Sequence, residues 1–315
     1  MKRIITTVFL LFTFYLPLTC HAQLEEPYPG GDECTIGVAS GKATMDGRPL
    51  LWKSRDYASE PDNEVVYNMS SVNRYIAVTN AGETYVWMGV NDKGFSIVNS
   101  LCNDLQKAPY GPSNGQLMYD ALSTCNSVDD FEQMLIITNE SGRQTGANFA
   151  VIDASGAAAV FETAGYEYWK FDACDSVTAP DGYLLRTNFA FMGDGKNGIR
   201  DGLYSVERYR RQQQLIDNFH AGDTLNAKSI FRTQMRDFSD FDSQPVGVPF
   251  PYKWLSNRPY GYIYCGVSIC RSTTVSAAVI QGVLPEESPK LSTMWTMLGQ
   301  PASSITVPYW PAGRT

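Results

Sequence analysis

Histidine is almost missing from this chain. Its 315 residues include two, and His21 falls in a segment that reads as a leader. A serine or cysteine nucleophile of the usual kind needs an imidazole held against it as base. His220 is the remaining candidate. It sits in the polar stretch Asp217-Asn218-Phe219-His220-Ala221-Gly222, where a helix is expected to end, so it reads as a surface residue. Triad and Cys–His chemistry therefore lack a base. The chain has no Walker A sequence and no H-E-x-x-H. No two cysteines form a C-x-x-C, and Cys265 and Cys270 have no histidine nearby, so no zinc site is expected. Nothing in the sequence calls for a cofactor.

Positive charge is scarce as well. Lysine and arginine number 25 against 33 acidic residues, a formal net charge of −8, with no basic cluster. Nucleic acid and anionic membrane surfaces are poor partners for such a chain. Long apolar runs are missing beyond the first residues, so no membrane span is expected in the rest of the chain.

The chain opens on Met1-Lys2-Arg3, an apolar run from Ile4 to Leu18, and small residues up to Ala22. This is the pattern of a secretory signal peptide over residues 1–22, and it implies a secreted or periplasmic protein. Losing Lys2 and Arg3 takes the formal charge from −8 to −10. Residues 23–33, with Pro27, Pro29, Gly30 and Gly31, are polar and turn-rich, and read as a short propeptide or arm. The remainder, 34–315, reads as one domain large enough to fold without staples. After the leader six cysteines remain: Cys34, Cys102, Cys125, Cys174, Cys265 and Cys270. Cys102, Cys125 and Cys174 are expected to be small buried hydrophobes or an occasional disulfide.

From Cys34 the pattern changes to an alternating strand, Cys34-Thr35-Ile36-Gly37-Val38-Ala39. Asp46-Gly47 marks a hairpin turn, and Pro49 to Lys53 reads as the return strand. That return brings Arg55 and Asp56 towards Cys34. Further strands are expected at 64–67, 74–79, 85–90, 95–100, 147–152, 157–162, 183–188 and 272–281. Helical spacing covers 115–137, with a start at Ser127, as well as 205–219 and 224–235. The tail carries Pro301, Pro308 and Pro311 and is expected to be irregular. Hairpins on either side of a helical block argue for an α+β domain with mainly antiparallel sheets.

One class of nucleophile needs no histidine. Cutting the peptide bond before a cysteine leaves an α-amine beside the thiol, with a reference pKa of about 7.7–8.0, able to take its proton near neutral pH. Cys34 heads a strand and follows a removable segment. The surrounding motifs are Cys34-Thr35-Ile36-Gly37, Ala43 to Leu50 and Trp52-Lys53-Ser54-Arg55-Asp56. They continue through Gly89 to Phe95, the hairpin Ala147 to Glu162, Thr187-Asn188-Phe189 and Ser205-Val206-Glu207-Arg208-Tyr209. In this order they resemble the cysteine N-terminal-nucleophile (Ntn) hydrolases of the linear-amide C–N hydrolase family. That family includes penicillin V acylases, bile salt hydrolases, acyl-CoA:6-aminopenicillanate acyltransferase-like proteins and acid ceramidase.

The resemblance implies a four-layer αββα sandwich and an amidase acting on small N-acyl amides, matured by cleavage between Glu33 and Cys34, with the possibility of a homo-oligomer. It makes Cys34 the nucleophile that carries the acyl group as a thioester. Asp56 would hold the α-amine, Asn188 would help bind the oxyanion, Arg208 would stand near the nucleophile, and Asn99 would be a second oxyanion or substrate contact. Many family members have arginine three residues before the aspartate. Here that residue is Lys53, which keeps the charge but not the planar fork, while Arg55 directly precedes Asp56. This departure points to the acyltransferase-like branch and leaves open which cation attends the thiolate. Acyl transfer to an amine is the alternative activity. A non-catalytic binding protein on the same fold is the alternative class, and the intact set Cys34, Asp56 and Asn188 argues against it.

Overall fold

Hairpin follows hairpin along most of this chain, and the hairpins assemble into two antiparallel sheets. The computed structural model describes residues 32–57, 62–193, 198–199, 203–239 and 268–312. The signal-peptide segment and most of the expected arm lie outside these residues. Strand β1 (Asp32–Ala39) turns through Asp46 and Gly47 into β2 (Leu50–Tyr57). The first strand therefore begins before Cys34, and Glu33, expected in a polar arm, is a buried strand residue at 6% exposure.

Seven strands follow in chain order across the second sheet: β3 (Asn63–Asn68), β4 (Tyr75–Asn80), β5 (Val86–Asn91), β6 (Ser96–Leu101), β7 (Ala147–Ile152), β8 (Ala158–Thr163) and β9 (Tyr168–Asp172). The first sheet is completed by β10 (Tyr183–Arg186), β11 (Thr274–Gln281), β12 (Thr293–Leu298) and β13 (Val307–Tyr309), in the order β10-β1-β2-β11-β12-β13. The hairpin β1–β2 thus lies inside its sheet, flanked by strands that arrive from far along the chain.

Helices α1 (Asn114–Thr124) and α2 (Val128–Ser141) lie on one sheet, and α3 (Val206–Ala221) and α4 (Ala227–Arg232) on the other. The sequence sets their ends. Ser127 and Asp130 cap α2 reciprocally, as the sequence predicts, and Gly142, at φ 83°, ends it.

Three apolar layers hold the sandwich together. Leu117, Met118, Phe131 and Leu135 of the first helix pair pack on Phe149 and Phe161. Between the sheets, Ile36, Val38 and Leu51 meet Ile76, Val78, Val90 and Val98. On the far side Trp52 and Val279 pack under Val206 and Ile216 of α3. Gly37 is required here by close approach: a Cβ on it would stand 2.2 Å from the Trp52 indole. The arrangement is the αββα sandwich that the resemblance implies.

Two further expectations fail. The proline-bearing tail is not irregular, because β12 and β13 extend the sheet. Pro308 is tolerated in β13, which is an edge strand and does not need every backbone donor. Cys174 is exposed, whereas Cys102, Cys125 and Cys270 are buried thiols. Cys265 lies outside the described residues. Among the described residues no helix is long and apolar enough to cross a membrane.

Candidate active site

Alternation along β1 separates two environments. Cys34, Ile36 and Val38 turn into the layer between the sheets, and Cys34 is 1% exposed. In the hairpin register Cys34 stands opposite Arg55, Ile36 opposite Lys53, and Glu33 opposite Asp56. Opposed residues share a face. Both cations therefore lie on the thiol side of the hairpin, while Asp56 lies with Glu33 on the helix side, one register step from Cys34.

On the thiol side the two cations have separate partners. Lys53 Nζ donates to Asn99 Oδ1 at 2.7 Å and to the Trp87 carbonyl at 3.1 Å. This contact crosses from one sheet to the other and fixes which end of the Asn99 amide is the oxygen. Arg55 donates to Asn80 Oδ1 at 2.8 Å and Asn63 Oδ1 at 3.0 Å, and its guanidinium lies 4.5 Å from the centre of the Trp87 ring. Of the two, Arg55 faces Cys34 directly in the register, and Lys53 is tied to Asn99.

On the backbone of Cys34 two more expected residues converge. The Cys34 N–H donates to Asn188 Oδ1 at 3.0 Å. Arg208, on the first turn of α3, donates from Nη2 to the same oxygen at 2.9 Å, and from Nη1 to the Cys34 carbonyl and Thr35 Oγ1, each at 3.0 Å. One N–H of the Asn188 amide goes to the Leu101 carbonyl at 3.0 Å.

Residues that the sequence reading did not single out hold Asn188 in place. Its N–H donates to Ser205 Oγ at 2.9 Å, and Ser205 sits in the left-handed region at φ 66°. A non-glycine residue in that conformation stores local strain. The chain beyond Asn188 is fastened by Glu162, which accepts from the Phe191 and Met192 N–H groups and from Arg186 Nε at 2.7 Å. Arg186 and Glu162 are almost wholly buried, and Phe191 lies 3.8 Å over the guanidinium. Both charges come from β-strands with ordinary alternation, so nothing local in the sequence marks them as a pair.

Asp56 belongs to a cluster of charges on the helix side. Its Oδ1 accepts from Thr274 Oγ1 at 2.6 Å, and its Oδ2 lies 3.9 Å from Arg271 Nη1. Glu33 is ion-paired with the same Arg271 nitrogen, accepts a hydrogen bond from the Tyr204 hydroxyl, and lies 3.7 Å from Arg208. Burial pushes the Asp56 carboxyl up to about 7; Arg208 and the Thr274 hydroxyl oppose that shift, and the Glu33 charge adds to it. Arg271, Tyr204 and Glu33 were missed in the sequence, although Arg271 immediately precedes the strand expected at 272–281.

Other candidates fall away. His220 lies in the last turn of α3 with its ring against Tyr183, far along the helix from Arg208. Ser113 stands in Gly111-Pro112-Ser113-Asn114-Gly115, which has the spacing of a nucleophile elbow. It instead caps α1 by accepting from the Gln116 N–H, and no strand leads into it. Gly193 to Gly198 has G-x-G-x-x-G spacing, but residues 194–197 lie outside the described part. Among the described residues no group of His, Cys, Asp and Glu could hold a metal ion.

A family model described as acyl-coenzyme A:6-aminopenicillanic acid acyl-transferase matches residues 43–245, more than half of the chain; the matched span begins after Cys34. Among solved structures, the Caenorhabditis elegans ortholog of N-acylethanolamine-hydrolyzing acid amidase is similar at 15% identity. It covers 84% of this chain and 99% of its own, with a TM-score of 0.51. A penicillin V acylase from Agrobacterium tumefaciens is 11% identical over 88% of this chain and 85% of its own, TM-score 0.49. A variant of the conjugated bile acid hydrolase from Clostridium perfringens is 12% identical over 88% and 97%, TM-score 0.47. At such identities the first of these speaks for the shared fold. No curated protein matches the sequence.

Proposed function

The chain belongs to the acyl-coenzyme A:6-aminopenicillanic acid acyl-transferase family; from that premise we propose that it is an enzyme of the Ntn amidohydrolase and acyltransferase kind, a secreted or periplasmic cysteine amidase whose nucleophile is Cys34. The leader over residues 1–22 supports export, and the Glu33–Cys34 peptide is the bond cut on maturation. The observation that carries this reading is the convergence on Cys34 of Asn188 and Arg208, which grip its N–H and its carbonyl at 3.0 Å each.

Cleavage leaves the Cys34 α-amine beside its own thiol. Asp56, one register step away, accepts from that amine and holds it. The amine takes the thiol proton, and the thiolate attacks the carbonyl carbon of a linear N-acyl amide. Charge then develops on the carbonyl oxygen, where the side-chain amides of Asn188 and Asn99 act as donors. Such a donor contributes on the order of 3 kcal/mol to the transition state. The α-ammonium passes its proton to the departing nitrogen, the C–N bond breaks, and the acyl group remains on Cys34 as a thioester. Water adds to the thioester, and the acid leaves as the thiol is restored. Arg55, facing Cys34 across the hairpin, favours the thiolate, and Lys53 keeps Asn99 oriented.

Rapid quenching with an N-acyl anilide, followed by mass analysis of the Cys34 peptide, tests this. The acyl mass is expected on Cys34 and is absent from Cys34→Ala. Acyl mass on another cysteine, with Cys34 unmodified, rules out the assignment. Adding an amine acceptor to the same reaction divides the thioester between hydrolysis and acyl transfer, the activity for which the family model is named.

A further inference from the structure

The side chain of Glu33, the last residue before the proposed cleavage, is held in a built carboxylate site. It is 6% exposed, ion-paired with Arg271, hydrogen-bonded by the Tyr204 hydroxyl, and 3.7 Å from Arg208. Arg271 and Arg208 are themselves buried, at 3% exposure each. They come from distant parts of the chain, the lead into β11 and the first turn of α3. A flexible removable segment has no need of such a site for its last side chain. A surface glutamate would serve a cut equally well.

Charge makes the consequence specific. Before cleavage two carboxylates, Glu33 and Asp56, face two guanidinium groups, Arg208 and Arg271. Cleavage takes one carboxylate away and adds a basic amine at Cys34. Among these groups Asp56 is then the one anion against two arginines and the amine, in a place where buried charge is costly unless it is paired. A guanidinium and a phenol that have lost a carboxylate are matched by another carboxylate.

We infer that the pocket emptied of Glu33 is a substrate subsite for a carboxylate, so that the amides this enzyme turns over best carry a free carboxyl group, recognised by Arg271 and Tyr204. This rests on the reading that the chain is cut between Glu33 and Cys34. The carboxyl group reaches the pocket from the acyl half of the amide or from the amine half. A surface cleft lined by Asp62, Asn63, Ser272, Thr274 and Gln300 lies beside this part of β11.

The test uses wild-type protein whose first residue has been fixed by intact mass. Three substrates are compared: butyranilide, which is neutral; N-butyryl-4-aminobenzoate, with the carboxylate on the amine half; and glutaranilic acid, with it on the acyl half. One carboxylate substrate is expected to exceed butyranilide in kcat/KM by about 10- to 100-fold, mainly through KM, and the one that gains identifies the half. Arg271→Gln is expected to bring that ratio towards one, and Tyr204→Phe to reduce it several-fold. Binding is read apart from turnover: glutarate is expected to raise the Tm of the processed wild type and not of Arg271→Gln. Equal kcat/KM for the three amides, or no shift of the wild-type Tm with glutarate, in protein that begins at Cys34 overturns the subsite and leaves the nucleophile reading intact. An active chain that still carries Glu33 overturns both, because the pocket is then never vacated.

Discussion

Glu33 and Asp56 stand directly opposite each other across the first hairpin, and both lean on Arg271. The residue that maturation would remove is thus the like-charged neighbour of the carboxylate that would hold the new amine. Two buried acids this close cannot both ionise cheaply, and burial, with the Glu33 charge adding to it, pushes Asp56 up to about 7.

Uncut protein is therefore expected to lose stability as pH rises. The unfolded chain releases the Asp56 proton near 4, while the folded chain keeps it until about 7. Across that window the unfolded state binds fewer protons, so stability falls, by up to roughly 4 kcal/mol, and is flat above it. Urea unfolding of Cys34→Ala protein whose intact mass still includes Glu33 should show this slope, and adding Asp56→Asn should remove most of it. Adding Glu33→Gln instead should move the window to lower pH, since the Glu33 charge is one of the groups raising Asp56.

Lys53 is expected to act through Asn99. Lys53→Met leaves Asn99 Oδ1 without the donor at 2.7 Å and frees the amide to turn over. Turnover of the processed enzyme should drop by about 10- to 100-fold in kcat with little change in KM, as for loss of an oxyanion donor. Lys53→Arg should recover part of that loss. A change confined to KM would assign Lys53 to substrate binding instead.

The Arg186–Glu162 pair should be the most sensitive buried contact outside the nucleophile. Arg186→Met strands a carboxylate that is 0% exposed, at about 3–5 kcal/mol in equilibrium unfolding. Because Glu162 also anchors the Phe191 and Met192 N–H groups just beyond Asn188, activity should fall in the fraction that remains folded. Combining Arg186→Met with Glu162→Gln should cost less than the two separate losses added together.

Gly37→Ala tests the hairpin itself. The added methyl would meet the Trp52 ring at 2.2 Å, and Trp52 is fully buried. Overpacking of this kind costs about 1–3 kcal/mol, read as a lower urea midpoint with an unchanged slope. No loss of stability would mean that Trp52 can leave its place under α3.

Much of the architecture was legible because its signals are local. Asp46-Gly47 gave the hairpin, Ser127 with Asp130 gave a helix start, and alternation gave most strands. β12 was not legible: Thr293-Met294-Trp295-Thr296-Met297-Leu298 has few β-branched residues and lies near prolines, and its pairing with β11 makes it a strand. β9, with no fully buried residue in it, was missed for the same reason. In the candidate site the residues with a motif, Cys34, Asp56, Asn188 and Arg208, could be named in advance. Arg271 and Tyr204 could not, because each reaches the site through a long-range contact. Glu33 was misjudged because a glutamate in a Pro- and Gly-rich approach looks solvated until two arginines are brought against it.

The central claim is that Cys34 becomes the first residue of the working enzyme, and intact-mass analysis of catalytically active protein tests it most directly. The account predicts an active chain that starts at Cys34, and no activity from Cys34→Ala. An active chain whose mass still includes Glu33 would contradict it.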